Sequence, residues 1–401
     1  MTGKLAELDS EPKAQSPSSA ARSKSLPFQF IAAFCLFLVL SLMLEQCFAL
    51  AGIGEGQFMK LDPLYGFVPE TKKAVTWRGE GFSRFQYNSF SMQDREYPLK
   101  KAAGQQRIAM LGDSYVEAIQ VSRKQNFCSL LENLLNEGSN DRSIEVQNFG
   151  LSSYSLYMML LRLEKLALAF HPDLVVLNYH VNEVMKAEAP AIAIDEMSLG
   201  SAHPYLRFNK EKAAFEADYS TQAAWQNSAQ GKWLKATEGF SLHSRIASVV
   251  LHSVWELRNF LLKSVDSLSA LLNHQKPKSP VNYWVDEPPY KFTEQHWPSI
   301  HYLLKTMQAD CRKAGAKFVI VRLPAFRANK NELEAKLLEK SAAELGIEYL
   351  DLDAGTRSWS DEQLAALFFG GNGHYNIQGH KYLSEQLNNF LRSKKLLAIS
   401  K

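Results

Sequence analysis

The sequence is poor in cysteine and has no long run of one charge. Four Cys stand in 401 residues. Cys35 and Cys47 sit in an apolar N-terminal segment, and Cys128 and Cys311 lie far apart in the body. There is no Cys-x-x-Cys and no His/Cys cluster, which argues against a zinc site or a disulfide scaffold. Cys128 and Cys311 read as buried thiols rather than a pair. A formal net charge of only +3, without a basic stretch, gives no footprint for nucleic acid. No internal repeat occurs, and no motif calls for a metal or a cofactor, so neither is expected. What is there is the composition of a folded globular protein, 46% hydrophobic and 22% charged. The length suits one large or two ordinary domains.

Residues 1–26 are polar and rich in Ser, Lys and Pro, the composition of a disordered tail. Phe28 to Leu44 then runs without a charge, and apolar character resumes from Cys47 to Ile53 after Glu45. That is near the minimum for a spanning helix, assigned to 27–51. Basic residues dominate next to it, which places the N-terminus in the cytoplasm and the body on the exported side. Ala49-Leu50-Ala51 also fits a signal-peptide cleavage site, but the long polar stretch before the apolar run favours a retained single-pass anchor. Residues 52–104 carry turn residues, aromatics and short alternating runs, and read as a strap around the domain that follows.

From Arg107 the pattern alternates. Short apolar runs at Ile108–Leu111, Ile144–Phe149, Leu174–Leu177, Lys317–Val321 and Ile347–Leu350 predict buried strands. Helices are expected over Tyr154–Phe170, Ile300–Ala314 and Asn331–Leu345. Alternation of this kind implies a mainly parallel five-stranded sheet covered on both faces, an α/β fold of three layers, α/β/α. Residues 186–300 interrupt it without a clear parallel strand and read as a helical insertion in a domain spanning 105–401. Within the insertion, Lys210–Leu234 is expected to be helical. Ile246–Leu262 is amphipathic through Val249, Val250, Val254, Leu257 and Leu261, and is expected to pack that face on the body.

The chemistry-bearing residues fall where strands end, which is where sites lie in such folds. Gly112-Asp113-Ser114 breaks the first strand, and a helix follows. A Ser at a strand-to-helix turn is exposed at the sheet edge beside free N–H groups. Gly150 ends the second strand, Asn182 follows the third, and His374 lies in the glycine-rich loop Gly371-Asn-Gly-His-Tyr-Asn-Ile-Gln-Gly-His380. A Ser hydroxyl is a poor nucleophile until a base takes its proton, and His374 is the candidate base.

Ser, Gly, Asn and His in this order resemble the SGNH hydrolases, the Gly-Asp-Ser-type esterases. The resemblance covers roughly residues 105–185 and 300–390. It extends to the strap, where Asn88 and Arg95 are similar to a segment found in members linked to bacterial extracellular polysaccharide. It implies Ser114 as nucleophile, and Ser114, Gly150 and Asn182 as oxyanion donors. It also implies an acylated glycan or small ester as partner, with acyl hydrolysis or acyl transfer through an acyl-Ser. One departure stands out. The family places an Asp two or three residues before the His, and here those positions are Gly371 and Asn372. Asn372 is therefore the expected orienting residue, with Asp351 and Asp353 as alternatives that read more naturally as strand-end caps. The missing acid also motivates a non-catalytic glycan-binding or scaffold role.

Overall fold

The computed structural model describes residues 19–54, 58–138, 143–180, 203–272, 293–326, 332–371 and 373–397. They belong to two units, Met1–Ala51 and Gly52–Lys401. Helix α1 (Ser19–Ala51) makes up the described part of the first. Its stretch Pro27–Ala51 is long and apolar enough to cross a membrane, a test that a signal sequence also passes.

The second unit opens with the strap, which consists of two antiparallel hairpins. In the first, β1 (Met59–Asp62) pairs with β2 (Gly66–Pro69). In the second, β3 (Ala74–Trp77) pairs with β4 (Ser83–Gln86). The segment after them is stitched to the body by polar contacts. The Tyr87 hydroxyl donates to Glu117, the Gln93 amide to the Val121 carbonyl, and the Asn148 N–H to Asp94. The Asn88 side-chain amide donates to the Arg95 carbonyl, so these two strap residues fix one turn together.

The body is the expected sheet. β5 (Gln106–Leu111), β6 (Ile144–Asn148), β7 (Leu174–Tyr179), β10 (Lys317–Arg322) and β11 (Glu348–Asp351) are all parallel, in the order β11-β10-β7-β5-β6. The apolar runs of β5, β6, β7 and β10 are buried on both faces, as a covered parallel sheet requires, and the edge strand β11 is half-buried. Ala109 and Leu111 of β5 face one core, shared with α4 (Leu156–Lys165), α8 (Trp297–Lys313) and α9 (Glu332–Leu345). Ile108 and Met110 face the other, shared with α3 (Phe127–Leu135) and α10 (Ile377–Ser393). Each fully buried Leu, Ile or Val contributes about 1.5–3 kcal/mol relative to exposure. Arg107, at the start of β5, is fully buried yet satisfied. It donates to Glu145 and to the carbonyls of Pro98, Leu99 and Phe170, as a buried charge must.

The helices start where the sequence supplies caps. Asn126 accepts from the Cys128 N–H, Ser155 from the Met158 N–H, and Asn376 from the Gln378 and Gly379 N–H groups. α4 is shorter than predicted and continues to Phe170 as a tighter turn.

In the insertion, the helix expected over Lys210–Leu234 is interrupted. β8 (Tyr205–Asn209) and β9 (Ala214–Asp218) form an antiparallel hairpin, and helix begins only at Ser220. α5 (Ser220–Asn227), α6 (Ala229–His243) and α7 (Arg245–Leu272) follow. Alternation of Tyr205, Arg207 and Asn209 with apolar neighbours is the strand signal, and the turn at Asn209–Lys212 closes it through the Asn209 side chain. The apolar face of α7 does not pack on the body. Val250, Val254, Leu257 and Leu261 are exposed, because the helix turns its Ser248 and Trp255 side inward.

Candidate active site

The chain leaves β5 for β6 on one side and returns to β7 on the other. The carboxyl end of β5 is therefore a switch point, where α/β sheets open a crevice. Ser114 begins a one-turn helix there, α2 (Ser114–Glu117), capped by Asp113, whose side chain accepts from the Tyr115 N–H. Ala118 ends the turn in the left-handed region at φ 57°. The Ser114 N–H sits at the first position of that turn, where no intrahelical acceptor exists.

His374 arrives from the opposite end of the chain. Its loop is held by two bonds, Phe369 N–H to the His374 carbonyl and Gly373 N–H to the Phe369 carbonyl, and by the antiparallel bridge between Phe368 and Tyr375. Nε2 of His374 lies 2.8 Å from Ser114 Oγ. The Tyr115 ring stacks on His180 at 4.0 Å and tilts over His374 at 4.8 Å, walling the imidazole on one face.

The partner of the other ring nitrogen is Glu80. Nδ1 lies 2.6 Å from Glu80 Oε2, and the same oxygen accepts the His374 backbone N–H at 3.1 Å. A carboxylate can only accept, so Nδ1 carries the hydrogen and Nε2 is left free to accept from the Ser114 hydroxyl. Glu80 stands in the loop between β3 and β4, within Arg78-Gly-Glu-Gly-Phe82. The loop is fitted tightly. The Trp77 indole N–H donates to the Glu80 carbonyl, and the Ser83 hydroxyl donates to the Ile119 carbonyl. Gly81 sits at φ +66°, and a Cβ there would come within 2.5 Å of the Phe369 ring. A Cβ on Gly373 would meet Glu80 Oε1 at 2.7 Å. Both glycines are needed for the carboxylate to approach the imidazole.

The arrangement is a hydroxyl, an imidazole and a carboxylate in one line of hydrogen bonds, the geometry that generates a nucleophilic oxygen. The chain as a whole is similar to solved structures of lipolytic proteins and esterases. A Desulfitobacterium hafniense protein of the G-D-S-L lipolytic family is 13% identical, with a TM-score of 0.36, over 71% of this chain and 99% of that one. An acetyl xylan esterase is 11% identical, with a TM-score of 0.37, over 71% of this chain and 99% of that one. The lipase/acylhydrolase of Enterococcus faecalis is 11% identical, with a TM-score of 0.38, over 74% of this chain and 100% of that one. No family model and no curated protein matches the sequence. At these identities and scores the likenesses assign no residue a role.

Of the residues read from the sequence, the structure brings Ser114 and His374 together. Asn182 and Asn372 lie outside the described residues. Gly150 is buried beside the Ser114 turn. Its N–H donates to the Asn148 side chain at 3.0 Å, and a Cβ would strike the Glu117 N–H and Val116. Glycine is required there by the turn's own backbone rather than by an incoming group. Asp351 and Asp353 serve elsewhere. Both pair with Arg322, and Asp351 also caps the next turn through the Ala354 N–H. His380 accepts the Phe127 N–H at 3.4 Å and stacks on the Phe127 ring, joining α10 to α3. Among the described residues no group of three or more His, Cys, Asp or Glu side chains is placed to hold a metal.

Glu80 is the residue that sequence reasoning missed. It lies 294 positions before His374, in a strap with no catalytic motif. Its available signal was local. A single carboxylate between two glycines, flanked by the alternating runs Ala74–Trp77 and Ser83–Gln86, marks a hairpin loop presenting one charge.

Proposed function

We propose that this chain is a serine esterase that cleaves the acyl ester of a glycan through an acyl-Ser114 intermediate. The observation that carries the proposal is the continuous contact from Ser114 Oγ to His374 Nε2 and from His374 Nδ1 to Glu80. The Ser114 hydroxyl gives its proton to Nε2 as Oγ bonds to the ester carbonyl carbon. Glu80 holds the imidazole in the required tautomer and balances the imidazolium that forms. The Ser114 N–H, with the Asn182 amide as a further donor, takes the developing oxyanion, the Gly150 N–H being committed to the Asn148 side chain. Collapse breaks the bond to the leaving alcohol, which takes the proton from Nε2. Water then attacks the acyl-Ser114, losing its proton to Nε2; collapse breaks the bond to Oγ, which takes that proton back from Nε2, and the acid is released. A sugar hydroxyl in place of that water would make the reaction an acyl transfer. The glycan substrate and the exported, anchored placement come from the sequence resemblance and the apolar segment before Gly52. The Glu80 carboxylate on His374 answers the missing acid that motivated a non-catalytic role, and so supports the catalytic reading.

The test is direct. Ester hydrolysis with p-nitrophenyl acetate and labelling by a fluorophosphonate probe should both be present in the full chain and absent in Ser114→Ala. Labelling of the Ala variant at the wild-type level would sink the assignment.

A further inference from the structure

One face of α7 is apolar and exposed. Val250, Val254, Leu257, Phe260 and Leu261 are between 48% and 65% exposed. At 100° per residue they fall on one side of the helix, a stripe about 120° wide. The opposite side is occupied. Ser248, Leu251 and Trp255 line a cavity of about 540 Å³ together with Trp225 and Trp233, and Trp255 stacks on Trp233 at 5.9 Å. The outward stripe is thus not the helix's core face turned the wrong way. It is an additional apolar face, carried on a helix of 28 residues, about 42 Å long.

A second observation says what covers it. A Cβ on Gly54 would come within 2.5 Å of the Arg245 carbonyl oxygen, so the backbone at residue 54 lies against the first residue of α7. Gly54 is three residues beyond Ala51, where the apolar segment Pro27–Ala51 ends. Three residues span at most about 11 Å. If that segment crosses a membrane, the start of α7 is tethered at its surface, at a high effective concentration of lipid. A tethered helix needs only modest apolar area to settle into the interface.

We propose that α7 lies in the membrane interface, with Val250, Val254, Leu257, Phe260 and Leu261 in the acyl-chain boundary. Glu256 and Arg258, the charged residues within this stretch, are of opposite sign. The association is therefore apolar and does not require anionic lipid, in contrast to basic interfacial helices. The inference rests on the retained anchor proposed above, not on the ester chemistry.

The full chain, reconstituted in phosphatidylcholine vesicles, tests it. With Cys35 and Cys47 replaced by Ser, Leu257→Cys and Val250→Cys each carry an environment-sensitive fluorophore, and Lys336→Cys on α9 serves as a water-facing reference. The expected result is quenching of 250 and 257, but not 336, by phosphatidylcholine spin-labelled near the headgroup. Iodide quenching at 250 and 257 should be several-fold weaker than at 336, and quenching by the spin-labelled lipid should be unchanged when phosphatidylglycerol is added. Iodide quenching equal to that at 336 would overturn the inference. Shielding from iodide without quenching by spin-labelled lipid would also overturn it, because a second copy or another protein would then cover the stripe. Protein isolated from cells with its N-terminus beyond Ala51 would overturn the anchor and this inference together, leaving the esterase proposal untouched.

Discussion

Glu80 is where a single side chain decides most. Its carboxylate bonds the imidazole and the backbone N–H of the same histidine, so it fixes both the ring's tautomer and its place. Replacing the acid by its amide in a serine triad costs about 10⁴-fold in turnover, largely through the wrong tautomer. Glu80→Gln should lower kcat by roughly 10³–10⁴-fold and leave KM nearly unchanged, measured with p-nitrophenyl acetate. Asp351→Asn should leave kcat nearly unchanged, since that carboxylate is committed to Arg322. If Glu80→Gln turns over like wild type while Asn372→Asp accelerates, the orienting role returns to position 372. Ser114 and His374 were legible because each sits in a local pattern with a physical meaning, a strand-turn-helix and a glycine-rich loop. Glu80 was not, because its meaning lies in a contact across the fold and no spacing in the sequence encodes it.

At the scale of elements, the buried strands were the most legible part. Runs such as Ile108–Leu111 and Leu174–Leu177 are apolar on both faces, and only a covered sheet can use them. The insertion was read less well. A polar stretch such as Lys210–Asp218 has no strong period, and its hairpin depends on the Asn209 turn. α7 was assigned the right secondary structure and the wrong neighbour, because periodicity defines a face but not what meets it. The junction of α10 and α3 makes a pH-dependent prediction. Burial holds the His380 imidazole down at about 3, with His374 nearby adding to the effect. The unfolded chain takes up this proton near 6.5 and the native chain does not, so stability falls as pH drops from about 6.5 toward 3. Asp94 opposes this. Burial raises its carboxyl to about 6, so its contribution is present below the unfolded value and is lost as pH rises through about 6. His380→Gln isolates the first group. Between pH 7 and pH 5, urea unfolding should show wild type losing about 2 kcal/mol more than the variant. Parallel losses in the two proteins would refute the assignment.

For the whole molecule, the charge asymmetry before Phe28 predicts a cytoplasmic N-terminus and an exported body. A reporter active only in the cytoplasm, fused after Lys401, should be silent, and activity there would reverse the orientation. The strap has a consequence of a different kind. Ser114 and His374 sit on the α/β body, while Glu80 comes from a hairpin that precedes it, so the proposed centre is divisible. A polypeptide starting at Gln105 would carry Ser114 and His374 without their carboxylate. A second polypeptide of residues 52–104 would carry the missing group on a piece that reaches the body through Tyr87, Gln93 and Asp94. The two fragments, produced separately and mixed, should regain ester hydrolysis to a level set by the concentration of the shorter one. The same mixture made with Glu80→Gln in the short fragment should bind as well and stay slow. Catalysis here would then be a property of two complementing pieces, titratable one against the other.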